Sequence, residues 1–445
     1  MKSGIKSRRK KSATSIYNLP DEILKNIGEN LDIADLSRFS RSCRGFFNSS
    51  LQERKKRHPE RIRHNLQQLN CDKRIFNGQN EVIYGIATCG NALLTSGRHS
   101  INAWNIDTGA ILWTYSGELY LGERLWVVDG KAICAGSKKS DKGSFDYDNI
   151  ILVIDVETGE ALSVIKHPEL KAELTTVIDG QIITKLRNGD INCWGLSGKL
   201  IKNYQPAINM PLIPKFLATK RYIADINDKQ ITIINRENDK SVNVTASEEV
   251  YSAVISDHLL ICGLSSLNSS RPDIIIIDME QGEIIDEYKT QGLLHYEHPV
   301  YGVTQNCGSI LSVAAKNDMV FMSHENGIVV AVDLRNHTHQ ILESFPPHSP
   351  YLTLQDTYLF IKSSETNSHP SNLCIWDIEK MEKIRNIDIS GLNNVKWHKG
   401  NLLVSAERSL VKYDFKVLHQ NGEVLAEGSP DKLENALRTG DCRIM

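Results

Sequence analysis

The one side chain whose position by itself specifies a chemistry is a thiol. Cys442 stands fourth from the last residue of a 445-residue chain and is followed by Arg443, Ile444 and Met445. A terminal Cys with an aliphatic residue two places on and Met at the end is the pattern on which a farnesyl group is transferred. Arginine is a tolerated but less usual occupant of the position after the cysteine. A single lipid holds weakly, so stable residence at a membrane calls for a second contact. Elsewhere the reactive residue types are scattered. Nine cysteines, at 43, 71, 89, 134, 193, 262, 307, 374 and 442, include no C-x-x-C pair and no spacing below 18 residues, which argues against both a metal cluster and a disulfide framework. His295 and His298 are spaced as a ligand pair and lack a nearby third ligand. No phosphate-binding G-x-x-x-x-G-K-[ST] loop and no H-E-x-x-H occurs, and no serine sits in a recognisable His/Asp arrangement. The expectation is a chain without catalytic residues, metal or cofactor, which acts by binding.

The charge is divided along the chain. Residues 1–70 hold 16 Lys and Arg against 7 Asp and Glu, leaving 36 against 47 in the remainder, so a head of +9 precedes a body of −11. The positive charge falls in two runs, Lys2 to Lys11 and Arg54 to Arg63, a type that meets anionic lipid, enters nuclei or touches nucleic acid. For residues 1–14 a solvated tail is expected, with no nucleic-acid partner. No run of 18 apolar residues is present. The expected location is the cytoplasm, with part of the protein at membranes. An apolar content of 40% over this length supports two or three domains with a substantial core.

Two kinds of element must carry this chain. Over residues 16–50, Pro20 suits a first helical turn, Asp21 and Glu22 suit the positive end of the helix dipole, and Ile23, Leu24, Ile27 and Leu31 recur at helical spacing. After Asp32, Leu36, Phe39, Cys43 and Phe46 or Phe47 repeat the pattern. So short a helical module exposes more apolar surface than it can bury by itself, which implies a partner. Leu19-Pro20-Asp21-Glu22-Ile23, then Ile27, Leu31, Leu36, Phe39, Ser40, Cys43 and the Phe46-Phe47 pair resemble the F-box, with Phe in place of its usual late Trp. That resemblance implies docking of Leu19, Pro20, Ile23, Leu24, Ile27, Leu31, Leu36 and Phe39 on the adaptor of a cullin–RING ubiquitin ligase. An ordinary helical hairpin packed on its own chain is the plainer alternative.

From residue 81 onward the sequence repeats. Eight apolar strands end near Asn105, Asp155, Gly195, Asn235, Asp278, Asp333, Asp377 and Asp414, at intervals of 37 to 55 residues. Each follows another apolar strand, and most run into a turn such as Asp107-Thr108-Gly109 or Glu157-Thr158-Gly159, where Gly supplies the positive φ a hairpin requires. Paired strands at this interval predict a β-propeller of eight blades, with seven as the alternative. The run from Leu94-Thr95-Ser96-Gly97 to Trp104-Asn105, and Cys374-Ile375-Trp376-Asp377, resemble the WD repeat. Thr108-Gly109 with Trp113 four residues on resembles a quinoprotein repeat. A quinone-dependent dehydrogenase is a remote alternative, because the calcium ligands and adjacent cysteines it needs are missing. Trp104, Trp194 and Trp376 are expected to pack between blades. Val417 to Glu434 resembles a stretch of transporter-type ATP-binding cassettes. Without a phosphate loop it implies no ATPase, and it is expected to form the last outer strand plus a short helix.

The expected fold is therefore mainly β: N-terminal F-box helices followed by a propeller. The division is a disordered basic tail at 1–14, the F-box at 15–50, a helical linker at 51–74, the propeller at 75–425 and a C-terminal tail at 426–445. Three loops between the second and third strands of blades are enlarged, 136–149, 264–273 and 363–372, and a long segment, 291–309, joins the fifth blade to the sixth. All four are expected on one rim, where Phe145, Tyr147, Arg271, Tyr296 and Tyr301 are the residue types that anchor interfaces. The combination implies a non-catalytic receptor subunit of an SCF-type ligase, with adaptor and cullin at one end, an unknown protein client at the rim, and a farnesyl on Cys442 for membrane association. A propeller scaffold without ubiquitin chemistry is the alternative. F-box, propeller and lipid signal together resemble effectors of intracellular bacteria, which would place the protein in the host cytoplasm. A eukaryotic F-box protein fits the same residues.

Overall fold

The computed structural model describes residues 62–415, apart from 70, 77, 79–80, 118, 140–146, 167–174, 187–188, 206–214, 266–272, 290–295, 298–303, 306–308, 346–349, 364–370, 390 and 407. The chain divides into two compact units, residues 1–72 with 414–425 and residues 73–413 with 426–445. In the first, residues 62–68 are helical and the Asn65 side-chain amide donates to the Phe415 carbonyl at 2.8 Å, with Leu66 and Phe415 fully buried.

The second unit carries eight four-stranded antiparallel sheets, the eight blades expected from the repeat. The strand pairs visible in the sequence are the second and third strands of the blades. Each pair is preceded by an innermost strand that is shorter in apolar content, such as Lys215–Ala218 or Tyr351–Gln355, and followed by an outer strand with alternating exposure, such as Ile111–Ser116. Third strands like Ile274–Asp278 and Ile328–Asp333 are buried almost end to end, because a blade is covered on both faces by its neighbours. The core accordingly lies between blades. One cluster joins Leu94, Ile101 and Ala103 of blade 1 to Cys134, Leu152 and Ile154 of blade 2, and another joins Ile261 and Ile276 of blade 5 to Val320 and Val330 of blade 6. Trp104, Trp194 and Trp376 are buried in such inter-blade clusters, as expected, and the first two donate their indole N–H to Thr95 and Thr184 at 3.0 and 2.9 Å.

The repeated acidic or amide residue now has a physical role. Asn105, Asp155, Asn235, Asp278, Asp333 and Asp377 each accept backbone N–H groups from the turn that follows, so one side chain caps the passage from third to outer strand. The Thr158 backbone N–H, first among its partners, holds the Asp155 carboxyl below the usual range, and for Asp333 the Asn336 side-chain amide, which donates to Oδ2 at 2.8 Å, comes first. The fourth residue on has positive φ whether it is Gly109, Gly159 and Gly282 or Asp239, His337 and Met381.

The sheet of the last blade contains Leu392–His398, Asn401–Ala406 and Ser409–Asp414, and beside the last of these lies Asp72–Phe76. The expectation that 417–434 would provide this outer strand is corrected: those residues lie outside the described part, and the fourth place is held by a strand from the N-terminal side. Hydrogen-bonding the two ends of the repeat array into one sheet closes the ring where it would otherwise fray. Phe76, Trp104, Leu403 and Leu410 share one core cluster across the closure, and Phe76 meets Trp104 edge-on at 5.8 Å.

Candidate functional site

Alternating strand direction puts the connections between second and third strands, and the crossings from one blade to the next, on one rim of the ring. The first and third hairpin connections occupy the other. At the opposite rim, two-residue turns begin with a left-handed residue at Gly90, Asp129, Asp179, Asp257, Asn317, Asp356 and Lys399. The crossing rim is irregular. Blade 2 rises furthest there, since Lys131–Lys139 and Tyr147–Asp155 are nine residues each and pair as far as Lys139 with Tyr147. Blade 4 is the opposite case, with Asn227 facing Gln230 across a two-residue turn. Between blades 5 and 6, Tyr296–Glu297 pairs with Thr304–Gln305 as a small ladder of its own.

Of the residues expected to anchor a client, Tyr147 and Tyr296 fall in strands on these features, and their side chains lie outside the described part. Phe145, Arg271 and Tyr301 lie outside it altogether. So do Leu19, Pro20, Ile23, Leu24, Ile27, Leu31, Leu36 and Phe39, the residues expected to dock an adaptor, the pair His295 and His298, and Cys442.

The inner ends of the blades at this rim are tied by polar side chains that reach the innermost strand of the next blade or the residue just before it. Lys215 Nζ donates to Val250 O at 2.6 Å, Ser252 Oγ to Ile310 O at 2.9 Å, Ser323 Oγ to Pro350 O at 2.6 Å, Lys362 Nζ to Asn393 O at 2.8 Å and Asn394 Nδ2 to Tyr84 O at 2.7 Å. These ties are invisible in the sequence because the residue types differ from blade to blade. Beside two of them stand the exposed aromatic rings Tyr251 and Tyr351. Lys215 lies over the Tyr251 ring at 5.5 Å, and burial lowers its pKa, with the carboxylates of Glu249 and Asp228 opposing that shift.

Further inside, Lys185 of blade 3 pairs with Asp225 of blade 4 and donates to Asn227 Oδ1 at 3.2 Å, all three buried. Burial pushes the Asp225 carboxyl up, and Lys185 works against that shift. Asp225 Oδ2 and the Asn227 amide nitrogen have no partner among the described residues. Burial likewise raises the thiols of Cys193, Cys262 and Cys374, so none is poised as a thiolate nucleophile. What this rim offers among the described residues is an uneven surface with aromatic and cationic groups.

Comparison with known proteins agrees with both halves. Residues 16–58 match the F-box domain model. No curated protein matches the chain. Among solved structures it is similar to the computationally designed Ika8 protein, at 13% identity and a TM-score of 0.56, over 76% of this chain and 98% of that one. It is similar to BamB from Moraxella catarrhalis at 17% identity and a TM-score of 0.52, over 79% and 98% of the two chains. Similarity to Saccharomyces cerevisiae Sqt1 is 11% in identity with a TM-score of 0.52, over 76% and 97%. At these identities the likeness is one of fold. The chain thus carries an F-box domain at residues 16–58 and, downstream of it, an eight-bladed β-propeller.

Proposed function

We propose that this protein is a substrate-receptor subunit of an SCF-type cullin–RING ubiquitin ligase, its F-box holding the ligase adaptor and the crossing rim of its propeller holding the protein to be ubiquitinated. The observation that carries this reading is the joining of the two modules in one chain: an F-box domain is a docking element for the ligase adaptor, and a rigid ring of blades with uneven loops is a binding platform. The subunit itself catalyses nothing in this reading. It brings a client within reach of a ubiquitin-charged enzyme held elsewhere in the assembly. A farnesyl on Cys442 would bring part of the assembly to membranes, with the basic head as the second contact.

The test is affinity purification of the full chain from eukaryotic cells. Adaptor and cullin are expected to co-purify, and the Leu19→Ala/Pro20→Ala double variant is expected to lose both while its propeller melts as in the wild type. Undiminished adaptor capture by that variant refutes the assignment. A chain that captures clients and never the adaptor is a scaffold without ubiquitin chemistry.

A further inference from the structure

The residue just after each cap plugs the seam between two blades. Ile106, Val156, Met279, Leu334 and Ile378 each donate their backbone N–H to the first hairpin turn of their own blade, and each side chain packs in the core shared with the blade before. Leu196 of blade 3 packs in the core shared with blade 2. Of blades 1 to 7, only blade 4 departs from an apolar plug. Its residue is Arg236, which donates its backbone N–H to Arg221 O at 2.8 Å as the others do to their turns, but brings a half-buried guanidinium. Beside it, between blades 3 and 4 at the rim opposite the crossings, lies a cavity of about 190 Å³.

Neutral oxygens hold the guanidinium. Nη1 donates to Thr219 O at 2.7 Å and to Lys220 O at 3.1 Å, and Nη2 donates to Gln181 Oε1 of blade 3 at 2.5 Å. A guanidinium has five N–H groups, so Nε–H and one N–H of Nη2 stay unused. No carboxylate among the described residues forms an ion pair with Arg236. The other two cations of the lining differ, since Lys202 pairs with Asp239 and Lys220 stands 3.8 Å from Asp179. Glu237, the one carboxylate of the lining, faces Arg221 at 3.4 Å. Because Gln181 gives its oxygen to Arg236, its NH₂ is a further donor of the lining. Cys193, Ile201 and the Tyr204 ring supply the apolar part. Burial raises the Cys193 thiol and the charges of Arg236 and Lys202 oppose that rise, so positive potential reaches the buried end of the cavity. A half-buried charge in place of an apolar plug is costly until an anion meets it.

We propose that the cavity between blades 3 and 4 binds a small carboxylate, whose oxygens accept from the Nε–H and Nη2 N–H of Arg236 and whose short aliphatic stem lies against Ile201 and Tyr204. A carboxylate takes two guanidinium donors at once, and hydrogen bonds between charged groups are the stronger ones. A doubly charged phosphate would set one more negative charge near Glu237. An apolar cavity of about 150 Å³ holds a benzene-sized guest, so this one takes a stem of about three or four carbons.

The experiment titrates the full-length chain with butyrate and with butyramide, its uncharged isostere, by saturation-transfer NMR. Butyrate is expected to bind at least about tenfold more tightly, the ratio one charge-assisted contact supplies. Arg236→Met, which gives blade 4 the plug that Met279 gives blade 5, is expected to abolish butyrate binding in a chain that melts no lower than the wild type. Gln181→Glu is the second variant if Arg236→Met melts early: a carboxylate set beside the guanidinium neutralises it in place and should weaken butyrate at least about tenfold. Inorganic phosphate is expected to displace butyrate no better than acetate does. N-acetyl-tetra-alanine, as acid and as amide, separates a free small acid from the end of a polypeptide, and the peptide acid is expected to bind more weakly than butyrate. Equal affinity for butyrate and butyramide, butyrate binding that survives Arg236→Met or Gln181→Glu, stronger displacement by phosphate, or a peptide acid that binds tighter than butyrate would each overturn the proposal.

Discussion

A methyl group added at residue 159 tests how the blades are locked together. Gly159 ends the cap-and-turn of blade 2 at φ 78°, and the Trp113 indole of blade 1 lies against it while donating to Val156 O at 2.7 Å. An alanine there meets two costs. Left-handed backbone for a residue with a Cβ costs about 1–2 kcal/mol. The Cβ would also stand 2.8 Å from Cγ and Cδ2 of Trp113, so the indole must shift and release its hydrogen bond, a further loss of about 1 kcal/mol. Together Gly159→Ala should lower stability by about 2–3 kcal/mol. Gly130→Ala is the control: at φ 70° it bears the backbone strain, yet a Cβ there meets nothing within 4 Å, so it should cost about 1 kcal/mol. Urea unfolding of the full chain, followed by circular dichroism, measures both. A double-mutant cycle with Trp113→Ala isolates the collision, since Gly159→Ala in that background should cost no more than the control. If Gly159→Ala matches Gly130→Ala in the wild-type background, or costs the same with and without Trp113, the lock does not work as described.

Replacing one member of the buried pair, by Lys185→Met or Asp225→Leu, should destabilise the propeller by about 3–5 kcal/mol, whereas the double replacement should be close to neutral in the same urea assay. The carboxyls of Asp155 and Asp333 are depressed in the folded chain, so the stability they add is present above the unfolded value near pH 4 and is lost as pH falls through the folded one. Asp155→Asn, which keeps an acceptor but not the charge, should lower the urea midpoint at pH 7 and make its fall below about pH 4 shallower, so that variant and wild type converge at low pH. In eukaryotic cells Cys442→Ser should move the protein from the membrane fraction to the cytosol without loss of adaptor capture. Mass spectrometry showing an unmodified Cys-Arg-Ile-Met end in the wild type would refute farnesylation.

The parts of the propeller legible in the sequence are those governed by neighbours in the chain. Third strands stand out because both faces are buried, giving runs such as Asp273-Ile-Ile-Ile-Ile-Asp278, and in six blades a capping Asn or Asp with a left-handed residue four places on marks where the strand ends. Outer strands such as Glu283–Tyr288 alternate between exposed and covered positions and blend into the turns around them. The closing strand Asp72–Phe76 has no local signature, since its partner Ser409–Asp414 lies more than three hundred residues away.

Ring closure by residues 72–76 also sets a timetable for synthesis. This strand leaves the ribosome soon after the F-box segment, but the strand it must join is translated some 333 residues later. At about 5–20 residues per second, the interval is roughly 20–70 s. During it Lys73–Phe76 presents an unpaired edge and Phe76 lacks the Leu403 and Leu410 side chains that later cover it. The nascent chain thus carries its F-box domain well before its propeller can close.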